Sequence, residues 1–288
     1  MKVSAVIVLY NPNFDELKKN LLKLNSQVDD IYIVDNTPYK DLSSEFGSLN
    51  FKNIKYIPLK QNVGIAKAQN IAIQKVSKTN SEFIFFLDQD SFISENIIKS
   101  LTNKYLHLIN QEINVGGIGP RPFNREQNKK YLGSIKKGID VGNNVSEVTE
   151  IICSASLIPV KALQEIGGMD ESLFIDGVDH EWCWRATNKR GYHFFIDEDS
   201  LLSHKLGEGD RRFLFKKVAI PTPFRTYFQF RNYFLLSRRK YVPLYWKLSN
   251  GVKYLVKFFY YPLFIQPRFQ YLKRMIMGIK DGILNKKS

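Results

Sequence analysis

The chain contains neither a Gly-x-Gly-x-x-Gly nor a Gly-x-x-x-x-Gly-Lys-Ser/Thr stretch. A dinucleotide cofactor and a P-loop phosphate cradle are therefore not indicated. No segment reaches the roughly 18–20 apolar residues that span a bilayer. The best, Tyr254 to Ile265, is interrupted by Lys257 and Pro262. Met1 to Tyr10 has too short an apolar stretch for a signal peptide, and Asn11-Pro12 follows directly. Cysteine is scarce. Cys153 and Cys183 both lie among apolar residues, which predicts buried free thiols in a reducing compartment. Acid is nearly missing from the end of the chain. From Arg211 onward 18 Lys and Arg face one acid, Asp281, whereas the residues before it hold 24 bases and 27 acids. The net charge of +14 is thus a property of the tail. That tail also carries 19 of the 39 aromatics, so a boundary is expected between a 1–210 unit and a 211–288 unit.

What is present in the first unit is an alternation of buried strands and helices. Val3 to Leu9 reads as a strand stopped by Asn11-Pro12, and Asn13 as the cap of a helix carrying Leu17, Leu21, Leu22 and Leu24. Ile31 to Val34 and Asn53 to Ile57 read as strands two and three. Asn62 is the expected cap of a helix running to about Lys75, with Gly64, Ala66 and Ala68 allowing a close approach. Phe83-Ile-Phe-Phe-Leu runs into Asp88-Gln-Asp90, a strand buried on both faces that ends in two acids. Ser94 and Glu95 open a helix to about Leu108. Such βαβ alternation predicts an α/β fold with a mainly parallel sheet and helices on both faces. Polar residues close three strands, at Tyr10-Asn11, Asp35-Asn36 and Asp88 to Asp90. Ligands of open parallel sheets bind beyond the carboxyl ends of strands. Oxygen ligands there suit Mg²⁺ or Mn²⁺. Phosphates would be met by the cation and by helix-start N–H groups.

Residues 114–149 are Gly-rich and polar, and read as an irregular crossover with strand-like pieces at Val115 to Ile118 and Tyr131 to Ile135. Ile151 to Ile158 reads as a buried strand, Pro159 as the start of a short helix ended by Gly167-Gly168, and Tyr192 to Ile196 as a strand. Between them lies Phe174-Ile-Asp-Gly-Val-Asp-His-Glu-Trp-Cys-Trp-Arg185. A helix starting near Asp179 would put that carboxylate at its N-terminus, suited to general-base work, with Glu181 and Arg185 paired one turn apart. The same residues could be a cap and a core. His204 ends an apolar strand, from which it could reach a metal or phosphate.

In order and spacing, Leu-Tyr-Asn (9–11), Val-Asp-Asn (34–36), Gln-Asn-x-Gly-Ile-Ala (61–66), Asp-Gln-Asp (88–90), Phe-Ile-Asp-x-Val-Asp-x-Glu-Trp-Cys (174–183), His204-x-x-Gly207 and Phe-Arg-Asn-Tyr (230–233) form a set. Nearly the whole chain resembles an inverting family-2 nucleotide-sugar glycosyltransferase, most closely the bacterial rhamnosyltransferases of cell-surface polysaccharide synthesis. The resemblance implies a GT-A fold, a dTDP-sugar donor (dTDP-L-rhamnose), a glycan or lipid-linked saccharide acceptor and a divalent cation, Mg²⁺ or Mn²⁺. Carried over, Tyr10, Asn11 and Asp35 line the base pocket, and Asn62 and Gly64 lie near the nucleotide and diphosphate. Asp88 meets the ribose or metal, and Asp90 is the main metal ligand, with His204 near the metal or leaving phosphate. Asp179 matches the catalytic base. Asp176, Glu181 and Trp182 fall on the acceptor side, and Arg211 or Arg212 would steady the leaving group. Where related chains often carry an acid just before the base, this one has Val178, so a second carboxylate must come from Asp176 or Glu181.

The tail reads as helices broken by Pro221, Pro223, Pro243, Pro262 and Pro267, with bases interleaved among aromatics. This suits an anionic membrane surface and predicts a peripheral position on the inner face of the plasma membrane. A packed helical subdomain with solvated bases is the plainer alternative. A nucleic-acid-binding module would use the same bases and aromatics, but it leaves the acids at 35, 88, 90 and 179 unexplained, so no nucleic-acid partner is expected. Within the enzyme class, galactofuranose, glucose or N-acetylglucosamine are the alternative sugars.

Overall fold

The computed structural model describes residues 1–49, 51–124, 129–130, 138–203, 210–213 and 216–285, with side chains left undescribed at 124, 129–130, 203, 210–213 and 216–219. His204, Gly207 and the Tyr131 to Ile135 piece lie outside these residues. In chain order the elements are β1 (Val3–Leu9), α1 (Phe14–Asn25), β2 (Asp30–Asp35), α2 (Ser43–Gly47), β3 (Ile54–Pro58), α3 (Ile65–Val76), β4 (Phe83–Asp88) and α4 (Ile97–Ile109). The middle of the chain supplies β5 (Val115–Asn124), β6 (Lys129–Lys130), β7 (Ile139–Asp140), β8 (Val145–Val148), β9 (Ser156–Pro159), α5 (Val160–Ile166), a 3₁₀ turn (Glu171–Leu173) and α6 (Val178–Arg190). Then come β10 (His193–Ser203), the hairpin β11 (Asp210–Phe213) and β12 (Lys216–Ala219), and the helices α7 (Pro223–Ser237), α8 (Leu244–Phe264) and α9 (Arg268–Ile283).

The sheet runs β3-β2-β1-β4-β9-β5-β10-β8-β7. Its first four strands are parallel, as their continuous apolar runs predict. The chain winds outward from β1 to β3 and then returns to place β4 on the other side of β1. The carboxyl ends of β1 and β4 therefore flank a topological switch point. Beyond β4 the sheet is mixed, because β9 enters antiparallel between β4 and β5. Leu17, Leu21 and Leu24 of α1 join Ile97 and Leu101 of α4 in the core on one face. Ala66, Ala72 and Val76 of α3, with α5 and α6, close the other face.

Three expectations are corrected. The strand expected over 151–158 is four residues long; Ala155 has φ 59°, and 151–155 turns out of the sheet as a loop. The crossover at 114–149 contains a ten-residue strand, β5, paired parallel to β10. Helix α3 starts at Ile65 with Gly64, not Asn62, as its cap.

Candidate active site

The sheet edge is tied together strand by strand. Tyr10 N–H donates to Gln89 Oε1 (2.8 Å), and Gln89 Nε2 returns a bond to the Tyr10 carbonyl (3.1 Å), locking the ends of β1 and β4. Asn11, at φ 47°, donates its N–H to Thr37 Oγ1 (2.8 Å), joining β1 to the loop after β2. Asp35 is fully buried and accepts from Thr37 N–H (2.9 Å) and from the Tyr56 hydroxyl (2.7 Å). Burial together with the Asp35 bond pushes the Tyr56 phenol well up. With the carboxylate already held by the protein, Asp35 shapes the wall of this end of the cleft. Tyr10 is half exposed and Asn11 exposed beside it.

Asn62 works inside a small amide network. Its Oδ1 accepts from Asn36 Nδ2 (2.9 Å) and Gly64 N–H (3.0 Å), while Asn36 Oδ1 accepts from Val63 N–H (2.8 Å). The close approach at the start of α3 comes from the protein itself. Phe174 lays its ring and carbonyl on Gly64, where a Cβ would stand 2.6 Å from the ring and 2.8 Å from the carbonyl oxygen, at φ 82°. The Phe174 carbonyl also takes the N–H groups of Ile65 (2.8 Å) and Ala66 (3.4 Å). These two helix-start donors, expected to meet a phosphate, are already engaged.

The segment 174–179 is bent sharply. Phe174, Asp176 and Gly177 all have φ between 62° and 82°. A positive φ at Phe174 and Asp176 is strained and persists only where the surroundings impose it. They do so here. Asn232 Nδ2 of α7 donates to the carbonyls of Leu173 (2.9 Å), Ile175 (2.7 Å) and Asp176 (2.9 Å). Buried Arg231 donates to the carbonyls of Ser172 (2.7 Å) and Leu173 (3.1 Å). Phe228 stacks on Phe174 at 4.6 Å. The Phe-Arg-Asn-Tyr motif is therefore the clamp of this loop.

The clamp presents two acids. Asp176 is chelated by Arg225 of α7, whose Nε and Nη2 donate at 2.9 and 2.7 Å. Asp179, in the first turn of α6, accepts from its neighbour His180 N–H (2.9 Å) and from Cys153 N–H (3.4 Å). Ser154, next to Cys153, accepts the N–H of Asp88 (3.1 Å) and bonds Ser91 Oγ (2.8 Å). The 151–155 loop thus bridges the end of β4 to Asp179. Burial pushes the Cys153 thiol up, and the fields of Asp179 and Asp88 push it further. Asp176 raises the Arg225 guanidinium, and Asp179 and Asp88 add to that. Position 179 therefore lies beside the loop that meets the end of β4.

Glu181 and Trp182 do not face an acceptor. Glu181 is fully buried, bound by Arg185 (2.9 Å), Arg239 (3.0 Å) and the Tyr241 hydroxyl (2.6 Å). Trp182 is 1% exposed and gives its indole N–H to the Gly167 carbonyl. Burial decides both: neither side chain can reach solvent. Arg211 and Arg212 lie on β11, with their side chains outside the described residues. Arg225, Arg239 and Cys153 had no sequence signal, because each matters through a partner some 25 or more positions away.

For a cation, Asp90 is exposed and Asp88 half-buried at one strand end. No group of three His, Cys, Asp or Glu is gathered among the described residues. A carboxylate pair at an open cleft fits Mg²⁺, which one or two carboxylates plus substrate phosphates commonly hold.

Residues 4–167 match the model of glycosyl transferase family 2. The chain belongs to that family. Over 98% of its length, and 95% of the relative's, it is 31% identical to the dTDP-rhamnosyl transferase RfbF of Shigella flexneri. It is 23% identical to the low-salt glycan biosynthesis hexosyltransferase Agl10 of Haloferax volcanii, covering 97% of this chain and 91% of that one. Among solved structures, S. aureus TarS 1–349 in complex with UDP-GlcNAc superposes with a TM-score of 0.58 at 16% identity, over 98% of this chain and 81% of that one. GalNAc-T7 with UDP, GalNAc and Mn²⁺ superposes with a TM-score of 0.58 at 16% identity, over 91% of this chain and 57% of that one. The family-2 chain described here is a glycosyltransferase with a GT-A-like fold and added C-terminal helices.

Proposed function

We propose that this glycosyltransferase moves L-rhamnose from dTDP-L-rhamnose to a hydroxyl of a lipid-linked glycan acceptor in surface polysaccharide synthesis, with inversion, at the inner face of the plasma membrane. The observation that carries the donor assignment is the 31% identity to a dTDP-rhamnosyl transferase along nearly the whole chain. Residues 1–210 would form the donor-binding transferase domain and 211–288 the acceptor and membrane side.

The chemistry assigned to the site is an in-line displacement. An acceptor hydroxyl is a weak nucleophile until it loses its proton during attack. Asp179 takes that proton, and the hydroxyl oxygen bonds to the anomeric carbon from the face opposite the nucleotide. The bond from that carbon to the diphosphate oxygen breaks, and its electron pair leaves with dTDP. One carboxylate suffices because the leaving group is already acidic, unlike glycoside hydrolysis with its flanking acid and base. Asp88 and Asp90 are the residues that would hold Mg²⁺ or Mn²⁺, which when bound offsets charge on the departing diphosphate. Arg225 fixes Asp176, and through the clamped loop the N-terminus of α6, so that the Asp179 oxygen keeps its aim. Tyr10, Asn11 and Asp35 are assigned to the nucleoside end.

Nucleotide release, measured across a panel of activated sugars with and without divalent cation, tests this reading. Turnover of dTDP-rhamnose, lost in Asp179→Asn and in Asp90→Ala, supports it. Full activity in either variant removes that residue from its role. Transfer of another hexose is the second reading, favoured by the match to a hexosyltransferase; turnover of a different sugar in the same panel would select it.

A further inference from the structure

Helix α8 is 21 residues long and has one buried residue, Tyr261. Leu244, Leu248, Val252, Leu255, Val256, Phe259 and Leu263 are each between 46% and 68% exposed. At 100° per residue these seven fall within an arc of about 120° that runs the length of the helix. Monomeric proteins seldom expose a contiguous apolar stripe of this size without a use for it.

The opposite side of α8 explains why the stripe faces outward. Tyr254, Phe258 and Tyr261 pack toward Phe230 of α7 and Tyr271 of α9. Beyond the Val256 edge of the stripe stands Lys253, about 60° further round, whereas Lys257, about 100° beyond that edge, is on the packed side. Lys257 Nζ donates to the neutral Gln229 Oε1 (2.8 Å) and lies over the Tyr254 and Tyr261 rings. Neither lysine forms an ion pair among the described residues. The acid whose field reaches both, Asp176, is already chelated by Arg225. Lys253 is exposed and Lys257 half-buried, so of the two only Lys253 borders the stripe on the solvent side.

Charge decides what covers the stripe. From Arg211 onward there are 18 bases and one acid, and that acid, Asp281, accepts from the Tyr227 hydroxyl. A second copy would bring the same excess of positive charge against this one. An anionic lipid surface complements both the stripe and its flank. No helix among the described residues is long and apolar enough to cross a membrane, so an in-plane position is what remains for α8 on a bilayer.

We propose that α8 lies in the surface of an anionic bilayer with the Leu244-to-Leu263 stripe inserted, and that Lys253 beside the stripe binds phosphate-bearing headgroups. This deepens the reading above by naming its membrane-facing surface. It would seat the protein so that the cleft holding Asp179 opens beside the bilayer.

The test is flotation of the full chain with vesicles of equal parts phosphatidylcholine and phosphatidylglycerol, against phosphatidylcholine alone. The wild type is expected to float with the anionic vesicles. Leu255→Asp and Phe259→Asp, both on exposed positions, should each weaken binding about tenfold or more, the equivalent of ~1.4 kcal/mol. Their circular dichroism, and their turnover of donor with a water-soluble acceptor, should stay unchanged. The variant Lys253→Ala should narrow the preference for anionic over neutral vesicles. Wild-type flotation in the Asp variants overturns the insertion, and an unchanged lipid preference in Lys253→Ala overturns the headgroup contact. A dimer in solution that Phe259→Asp breaks would assign the stripe to a second copy instead. Flotation needs no sugar donor, so a wrong donor assignment leaves this result standing, and failed flotation leaves the donor assignment untouched.

Discussion

The acidic sheet half and the basic helical tail handle charge and apolar surface in opposite ways. In the sheet half, helices bury most of their apolar residues, Leu22 of α1 being an exception, and deep carboxylates are held: Asp35 by Thr37 and Tyr56, Glu181 by two arginines and a tyrosine. In the tail, α8 leaves a full-length apolar stripe outside and two lysines without a counter-charge. The helix between them, α7, belongs to both. It carries the tail's composition, yet Arg225, Phe228, Arg231 and Asn232 build the loop on which Asp179 is mounted. Charge composition therefore marks where the chain changes character, while contacts show that the site straddles that change.

The largest expected effect separates a held carboxylate from an open one. Asp179→Asn keeps shape and the Cys153 contact but cannot take a proton, so kcat should fall about 10²–10⁴-fold with the unfolding midpoint unchanged. Glu181→Gln should do the reverse. Removing a fully buried partner from two arginines costs about 3–5 kcal/mol, read as a lowered urea midpoint; equal stability in both variants would erase the distinction. Next comes the clamp. Asn232→Ala takes their side-chain donor from the Ile175 and Asp176 carbonyls, while Leu173 keeps Arg231, and at about 1–3 kcal/mol for a lost buried partner the strained loop should relax. The signature is a kcat loss larger than the stability loss accounts for, without any change to Asp179 itself. Gly64→Ala should cost more than about 1 kcal/mol, because its φ, the Phe174 ring and the Phe174 carbonyl all oppose a methyl group.

How much of this was legible follows from the range of each interaction. Strands β1, β2 and β4 announce themselves through unbroken apolar runs, and the helix beginning at Val178 through its spacing, since both signals are local. Asp88 and Asp90 stood out because acids at the end of an apolar run need a reason, and Asp179 as a carboxylate at an expected helix start. Asn62 was misread as a cap because the residue that closes the start of α3, Phe174, is more than a hundred positions away. Ile151 to Ala155 looked like strand, yet Cys153 and Ser154 spend their backbone and hydroxyl groups on Asp179 and Asp88. Trp182 and Glu181 were placed on the acceptor side by resemblance, with core as the alternative; burial shows them as core, and the expected Glu181–Arg185 pair forms. The α8 stripe was hidden for the opposite reason: apolar periodicity reports a helix face but not whether anything covers it.

The smallest effect tests the tail's unmatched charge. Burial, with Lys253 beside it, lowers the Lys257 ammonium from 10.5 to about 7. Its folded pKa lies below its unfolded one. Between about 7 and 10.5 the folded chain therefore binds fewer protons, and stability rises with pH across that window. Lys257→Met keeps the aliphatic length over Tyr254 and Tyr261 and removes the ionisable group. The variant should melt slightly higher than wild type at neutral pH and below, and the gain should shrink toward zero as pH approaches 10.5. Lys257 is turned toward Gln229 and the packed side of α8, away from the apolar stripe. Anionic vesicles should therefore raise the melting temperatures of wild type and Lys257→Met alike. A larger rise in the wild type would mean that an anion reaches Lys257, and the contrast between the two halves would then extend to the packed side of α8.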